Sequence, residues 1–196
     1  SKDTRLNASF YGVSVSPKDG TIWGTVLGFP GALVRLNPGT HPPETALAEM
    51  YELPWGNPKA SSQGFGPRGL DVDANGVAWM VIASGHFASF DRGKCKGTLN
   101  GPKATGQHCP EGWTLYPMPG PQFKGVTDSG SADSNYYDWV DHFDTLGLGK
   151  NIPIAAGSDS DGMHALNIAT GKFSTLRVPY PCGFYAKGMD GRIDDP

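Results

Sequence analysis

No apolar run in this 196-residue chain approaches the ~20 residues that a membrane-spanning helix requires. Lys and Arg number 16 against 19 Asp and Glu and stand singly, so no basic stripe exists to track phosphates. Nucleic acid is therefore not an expected partner. The Gly-x-Ser-x-Gly elbow, the P-loop and H-E-x-x-H are all missing, which leaves serine-hydrolase, P-loop nucleotide and zincin chemistry without support. Neither a nucleotide nor a haem is expected.

Cysteine is scarce as well, with three in the chain: Cys95, Cys109 and Cys182. No paired C-x-x-C spacing points to zinc. Cys95 and Cys109 bracket "KGTLNGPKATGQH", a polar stretch that cannot order itself by burial. A disulfide closing such a loop contributes about 3 kcal/mol in the chain-entropy picture. It also implies an oxidising compartment, secreted or periplasmic. Two unrelated thiols in a cytosolic protein are the plainer alternative. Cys182 is then left over, either buried and free or bonded to something outside this chain.

What the chain has in excess is glycine and proline, 28 and 17 residues, together about 23% of it against an average of roughly 12%. Helix interiors tolerate neither, at costs of ~1 and ~3 kcal/mol. Short strands joined by many turns accommodate both. With 38% hydrophobic and 11% aromatic residues the chain can still bury a core. The expected class is all-β.

One phrase recurs. "GFGPRGLDVD" at 64–73 returns as "GFYAKGMDGR" at 183–192, and "SFYGVSVSP" at 9–17 is a weaker copy aligned through Phe10, Phe65 and Phe184. The spacing implies a unit of about 55–60 residues. "DGTIWGTVLGFPGALVRLNPG" (19–39) matches "NGVAWMVIASGHFASFDRG" (75–93), each with a two-residue Asp-Gly or Asn-Gly turn of the type with positive φ at both positions. Each has a strand bearing Trp23 or Trp79, and a closing strand at 47–54 or 113–119. A third unit closes with 163–171 and 171–181. Each unit reads as a meander of about four antiparallel strands that must stack on its neighbours. That is a β-propeller blade, with the phrase as its innermost strand. A two-sheet sandwich would not need the repeat.

The expected fold is thus an all-β propeller of four-stranded antiparallel blades: about three blades, at approximately 9–63, 64–122 and 123–182, and the first strand of a fourth at 183–196. The ring is incomplete. An open arc would expose blade faces, so the remainder of a longer chain or other subunits are expected to close it.

"PRGLDVDANGVAW" (67–79), and more loosely "GVSVSPKDGTIW" (12–23), resemble the blade motif of the streptogramin lyase (virginiamycin B lyase)-like propellers. The chain as a whole resembles part of larger secreted bacterial proteins of that group. The resemblance implies a secreted seven-bladed ring with a narrow channel and a metal ion near one end. There, histidine and glutamate cleave a cyclic depsipeptide ester by β-elimination. Those enzymes usually continue the Trp strand as Trp-Phe-Thr-Glu, where this chain reads "WGTV" (23–26) and "WMVI" (79–82).

Three stretches carry candidate chemistry. His86, in "ASGHFASFD", is expected where a loop meets the channel or the rim, placed to ligate a divalent metal or act as a general base. A half-buried histidine bonded to backbone is the plainer reading. In "SDSDGMHAL" (158–166), Asp159 and Asp161 alternate and His164 follows three residues later. Such oxygen ligands suit Ca²⁺ or Mg²⁺, although the stretch is not a full EF-hand loop. An Asx-turn is the alternative. "NYYDWVDHFDT" (135–145) offers stacking faces in Tyr136, Tyr137 and Trp139, with hydrogen-bonding groups in Asp138, Asp141, His142 and Asp144. It is expected as a rim loop interrupting the third repeat, or as a strand alternating core aromatics with solvated acids.

Two functions follow. One is a metal-assisted lyase or hydrolase of an ester-bearing small molecule, with His86 or His164 as base and Asp159 and Asp161 near the cation. The other is a non-catalytic propeller that binds a carbohydrate or a protein partner through loops such as 135–145.

Overall fold

The computed structural model describes residues 6–104, 108–122, 124–125, 130–133, 135–184 and 189. Three four-stranded antiparallel sheets follow one another along the chain. The first holds β1 (Phe10–Val15), β2 (Ile22–Val26), β3 (Ala32–Asn37) and β4 (Leu47–Glu52). The second holds β5 (Pro67–Val72), β6 (Ala78–Ile82), β7 (His86–Phe90) and β8 (Trp113–Pro117). The third holds β9 (Asp138–Asp141), β10 (Ile152–Gly157), β11 (Gly162–Asn167) and β12 (Lys172–Arg177). Each sheet is a meander in sequence order, as propeller blades are.

Stacking explains the burial pattern. All five residues of β6, "AWMVI", are buried, because a blade lies on each side of it. Trp23, Leu33 and Tyr51 of the first blade pack on Met80, Phe90 and Trp113 of the second. Trp79, Val81 and Phe87 of the second pack on Val140, Ala155 and Leu166 of the third. Side chains of this size contribute roughly 1.5–3 kcal/mol each when fully buried. Trp23 and Trp79 hold the same place in successive blades, each facing the next blade. Among the described residues nothing covers the opposite face of the first blade in this way: Phe10, Val13 and Val15 are 48%, 57% and 59% exposed.

The first strands lie side by side, β5 between β1 and β9, so the repeated phrase forms the inner strand of its blade. Its glycines permit the close approach. A Cβ on Gly12 would lie 2.8 Å from the Arg68 carbonyl oxygen, and one on Gly69 would lie 2.5 Å from the Tyr137 Cα.

Three sequence expectations change in detail. The strand ladders align Gly12 with Gly69, not Phe10 with Phe65, a shift of two that preserves which face each side chain takes. The Asp-Gly and Asn-Gly turns hold positive φ only at Gly20 and Gly76, while Asp19 and Asn75 stay on the ordinary side. Asp73 closes the second turn by bonding Val77 and Gly76 through its backbone. Finally, "NYYDWVDHFDT" is not a rim insertion, since Asp138–Asp141 is β9, the inner strand of the third blade. The strand of a fourth blade at 183–196 lies almost wholly outside the described residues.

Candidate functional site

The ends of β1, β5 and β9 where those strands begin form a mouth lined from all three blades. The ladder of β1 on β2 slips between Phe10 and Val13, and that of β5 on β6 slips between Pro67 and Leu70. Such bulges re-aim side chains. They place Tyr11 and Arg68 at matching positions, with Tyr136 and Tyr137 entering just before β9. Tyr11 stacks on Tyr137 with centroids 5.6 Å apart. The Arg68 guanidinium lies 4.8 Å over the Tyr136 ring and donates from Nη1 to the Asn135 carbonyl at 2.8 Å. The Thr25 hydroxyl donates to the Arg68 carbonyl and accepts the Gly12 amide, which ties the first two inner strands together here.

All four mouth side chains are half-buried. Burial, then the neighbouring phenol of Tyr137, raises the Tyr11 pKa, with Arg68 opposing. Asn135 is buried with its side-chain oxygen unpaired. Among the described residues no carboxylate pairs with Arg68.

Deeper along the inner strands lies a pair of acids. Asp71 accepts the Ser14 hydroxyl at 2.9 Å and the Val72 and Val140 amides at 2.8 Å, joining all three blades. Asp138 is 3% exposed, and its carboxyl faces the backbone amides of Val81 and Asp71. Burial, and then the nearby Asp71, push its carboxyl well above the usual range. The alternation of core aromatic and solvated acid is thus inverted on β9. Asp138 and Asp141 are buried and Trp139 is only half covered.

Asp141 and His142 stand at the other end of β9 from Tyr136 and Tyr137. Asp141 accepts the amides of Phe143, Thr145 and Leu146 at 2.9–3.3 Å. Burial raises its carboxyl, but those amides outweigh it and hold it below the usual range. His142 Nδ1 meets Asn151 Oδ1 at 3.2 Å. Of the expected ligand set, the structure brings Tyr136 and Tyr137 to the mouth, places Trp139 within β9, and leaves Asp141 at the far end of β9 with His142 just beyond it.

The histidines and the second acid pair sit elsewhere. His164 is 1% exposed, with Nε2 3.0 Å from Ser160 Oγ and Nδ1 3.0 Å from Thr175 Oγ1. Ser160 donates to Asp133 Oδ2 at 2.6 Å, so the serine lies between acid and imidazole. In a nucleophilic triad the acid instead holds the far imidazole nitrogen. Asp159 and Asp161 are exposed at the β10–β11 turn, and Asp161 Oδ1 accepts the Phe184 amide at 2.9 Å. Asp159, Asp161 and His164 therefore do not converge. Among the described residues no group of three or more His, Cys, Asp or Glu is placed to hold a metal. His86 is buried with Nδ1 3.1 Å from Ser84 Oγ, and burial lowers its pKa.

Cys95 and Cys109 are joined, closing the loop between β7 and β8, and Cys182 is free and exposed. A buried free thiol is thereby ruled out for Cys182.

Tyr11 and Arg68 escaped the sequence reading, although both stand in the repeated phrase immediately before its glycine. The basic residue of that phrase was the available signal.

No protein-family model matches the chain, and no curated protein does. Solved structures do. A catalytically inactive virginiamycin B lyase from Staphylococcus aureus with quinupristin superposes with a TM-score of 0.54 at 14% identity, over 90% of this chain and 44% of that one. The selenomethionine-substituted virginiamycin B lyase of the same organism gives 0.52 at 14% identity, over 86% and 41%. The chain spans less than half the length of either. Identity this low speaks to architecture, and together with the three stacked meanders it shows that the chain has a streptogramin-lyase-like propeller fold.

Proposed function

We propose that this propeller binds a small anionic ligand, a carboxylate, at the mouth formed by Tyr11, Arg68, Tyr136 and Tyr137. The observation that carries the reading is Arg68. A half-buried guanidinium, placed over an aromatic ring and anchored through one nitrogen, has no acid partner among the described residues. Taking a cation partly out of water is costly unless an anion meets it. A ligand carboxylate would take the remaining donors of the guanidinium fork, with tyrosine hydroxyls to orient the rest. The reading of a carbohydrate or protein partner bound through a rim loop at 135–145 has less behind it, since Asp138–Asp141 of that stretch is the inner strand β9.

The metal-assisted lyase or hydrolase reading also has less support. His86 and His164 lie in separate buried settings, and no acid pair converges on either as a cation site. An extracellular or periplasmic setting belongs to the proposal, and the disulfide and the fold are both compatible with it. So does completion of the ring by further sequence or by other subunits, which the uncovered apolar face of the first blade favours.

Benzoate titration followed by ligand-observed NMR tests the binding reading. Saturable binding that Arg68→Gln abolishes and Arg68→Lys partly retains is expected. Binding unaffected by Arg68→Gln would rule the mouth out as the site.

A further inference from the structure

Beside the mouth three aromatic rings meet at the surface. Phe29, Trp55 and Phe65 contact one another edge to face, with centroids 5.1–5.3 Å apart. They come from the β2–β3 turn, the segment after β4 and the approach to β5. Phe29 is 67% exposed and Trp55 44%. Apolar area left in water forgoes about 25 cal/mol per Å². Three such rings in mutual contact make a patch, not the scattered exposure that needs no explanation.

The patch is also held in place. The Gly66 amide donates to the Pro30 carbonyl at 2.8 Å, fixing the Phe29 turn against the Phe65 segment. The Gly56 amide donates to Gln63 Oε1 at 2.6 Å, which fixes the turn that carries Trp55. Phe65 precedes Arg68 by three residues, so their backbones lie within about 10 Å even when fully extended. The patch therefore lies within reach of a ligand held at Arg68.

We propose that Phe29, Trp55 and Phe65 form the apolar subsite of this mouth, so that the ligand is an amphipathic carboxylate whose anion meets Arg68 and whose aryl group rests on the three rings. This rests on the reading of Arg68 as the counter-ion of the ligand. Such a ligand joins its two ends through a linker whose length is bounded by the spacing of Phe65 and Arg68, at most about 10 Å along the backbone.

The test is a series of phenylalkanoates of increasing length (benzoate, phenylbutyrate, phenylhexanoate), with the matching phenylalkyl alcohols, titrated into the intact protein by ligand-observed NMR. The expected result is a gain of roughly tenfold in affinity from benzoate to a longer acid. Phe29→Ala and Trp55→Ala, both at exposed positions, should each remove that gain while leaving benzoate binding unchanged. Arg68→Gln should erase the preference for acid over alcohol. If the acids bind through Arg68 but length makes no difference, or the gain survives both alanine variants, the subsite is wrong and the mouth stands. If no acid binds, or binding ignores Arg68, both fail.

Discussion

Glu49 on β4 and Arg92 in the loop after β7 form a two-pronged ion pair that spans the first and second blades. Arg92 donates from Nε to Oε2 at 2.7 Å and from Nη2 to Oε1 at 2.6 Å. The same carboxylate accepts the Tyr51 phenol at 2.7 Å and lies 3.4 Å from Arg35 Nη1. Its side chain has no exposure. Burial raises the Glu49 pKa, but Arg92, followed by Tyr51 and Asn100, brings it down to about 2.

Glu49→Gln should therefore cost about 3 kcal/mol or more at neutral pH, because it leaves Arg92 and Arg35 without their shared anion. The sign with pH follows from the lowered carboxyl. Its stabilisation is complete above the ordinary glutamate value of about 4.3 and is lost as pH falls towards 2. Urea melts of both proteins at neutral and strongly acidic pH measure the gap between them. A gap that does not shrink in acid would mean that the ion pair is not what holds the two blades here.

Asp138 titrates with the opposite sign. Its folded pKa lies well above the unfolded value, so folding is penalised as pH rises through about 4 and onwards towards that folded value. Asp71, whose carboxyl burial also raises, faces it and shares the effect. Asp138→Asn keeps the shape of the neutral acid and removes the penalty. The variant should match the parent in stability near pH 3 and exceed it by more than about 1 kcal/mol at pH 7. Equal stability at both pH values would show that the fold does not raise the Asp138 carboxyl.

The Cys95–Cys109 bridge closes the loop that begins with Arg92 and carries Asn100, both of which reach Glu49. Reduction should lower stability by about 3 kcal/mol through loop entropy, and more where loosening also weakens the Glu49 contacts. Thiol titration under native conditions should find one reactive cysteine, Cys182, and three after denaturing reduction. Three before reduction would refute the bridge.

The blades were legible where local chemistry and packing agree. Trp23 and Trp79, each placed after a glycine turn and before a second apolar strand, announce a repeated inter-blade core. The third blade hides because Ile154 stands where those tryptophans do, and because β9 and β10 are separated by residues 142–151 where the earlier blades have a tighter turn. An inner strand with a long turn after it reads as an insertion. The mouth was less legible for a different reason. Nothing local in "FYG" or "PRG" says that a bulge will aim Tyr11 and Arg68 at one another's neighbours. Likewise the burial of Asp138 is imposed by the second blade, 60 or so residues away in the chain, and not by its own strand.

Gly69 couples the fold to the site. Its missing side chain lets the Tyr136–Tyr137 backbone sit against β5, with the Gly69 amide donating to the Tyr136 carbonyl at 2.8 Å. A methyl there would come 2.5 Å from the Tyr137 Cα and 2.7 Å from the Tyr136 oxygen, both backbone atoms that cannot rotate away. Gly69→Ala should thus cost about 1–3 kcal/mol, as overpacking does, and should also weaken benzoate binding by shifting Tyr136 off Arg68. Gly20→Ala, in an open turn with nothing near its Cβ but with a positive φ of 68°, provides the comparison. It should lose a fraction to about 1 kcal/mol and leave binding intact. If both variants lose stability equally and neither affects benzoate, the tight contact between β5 and β9 does not shape the mouth, and Tyr136 is held there by other means.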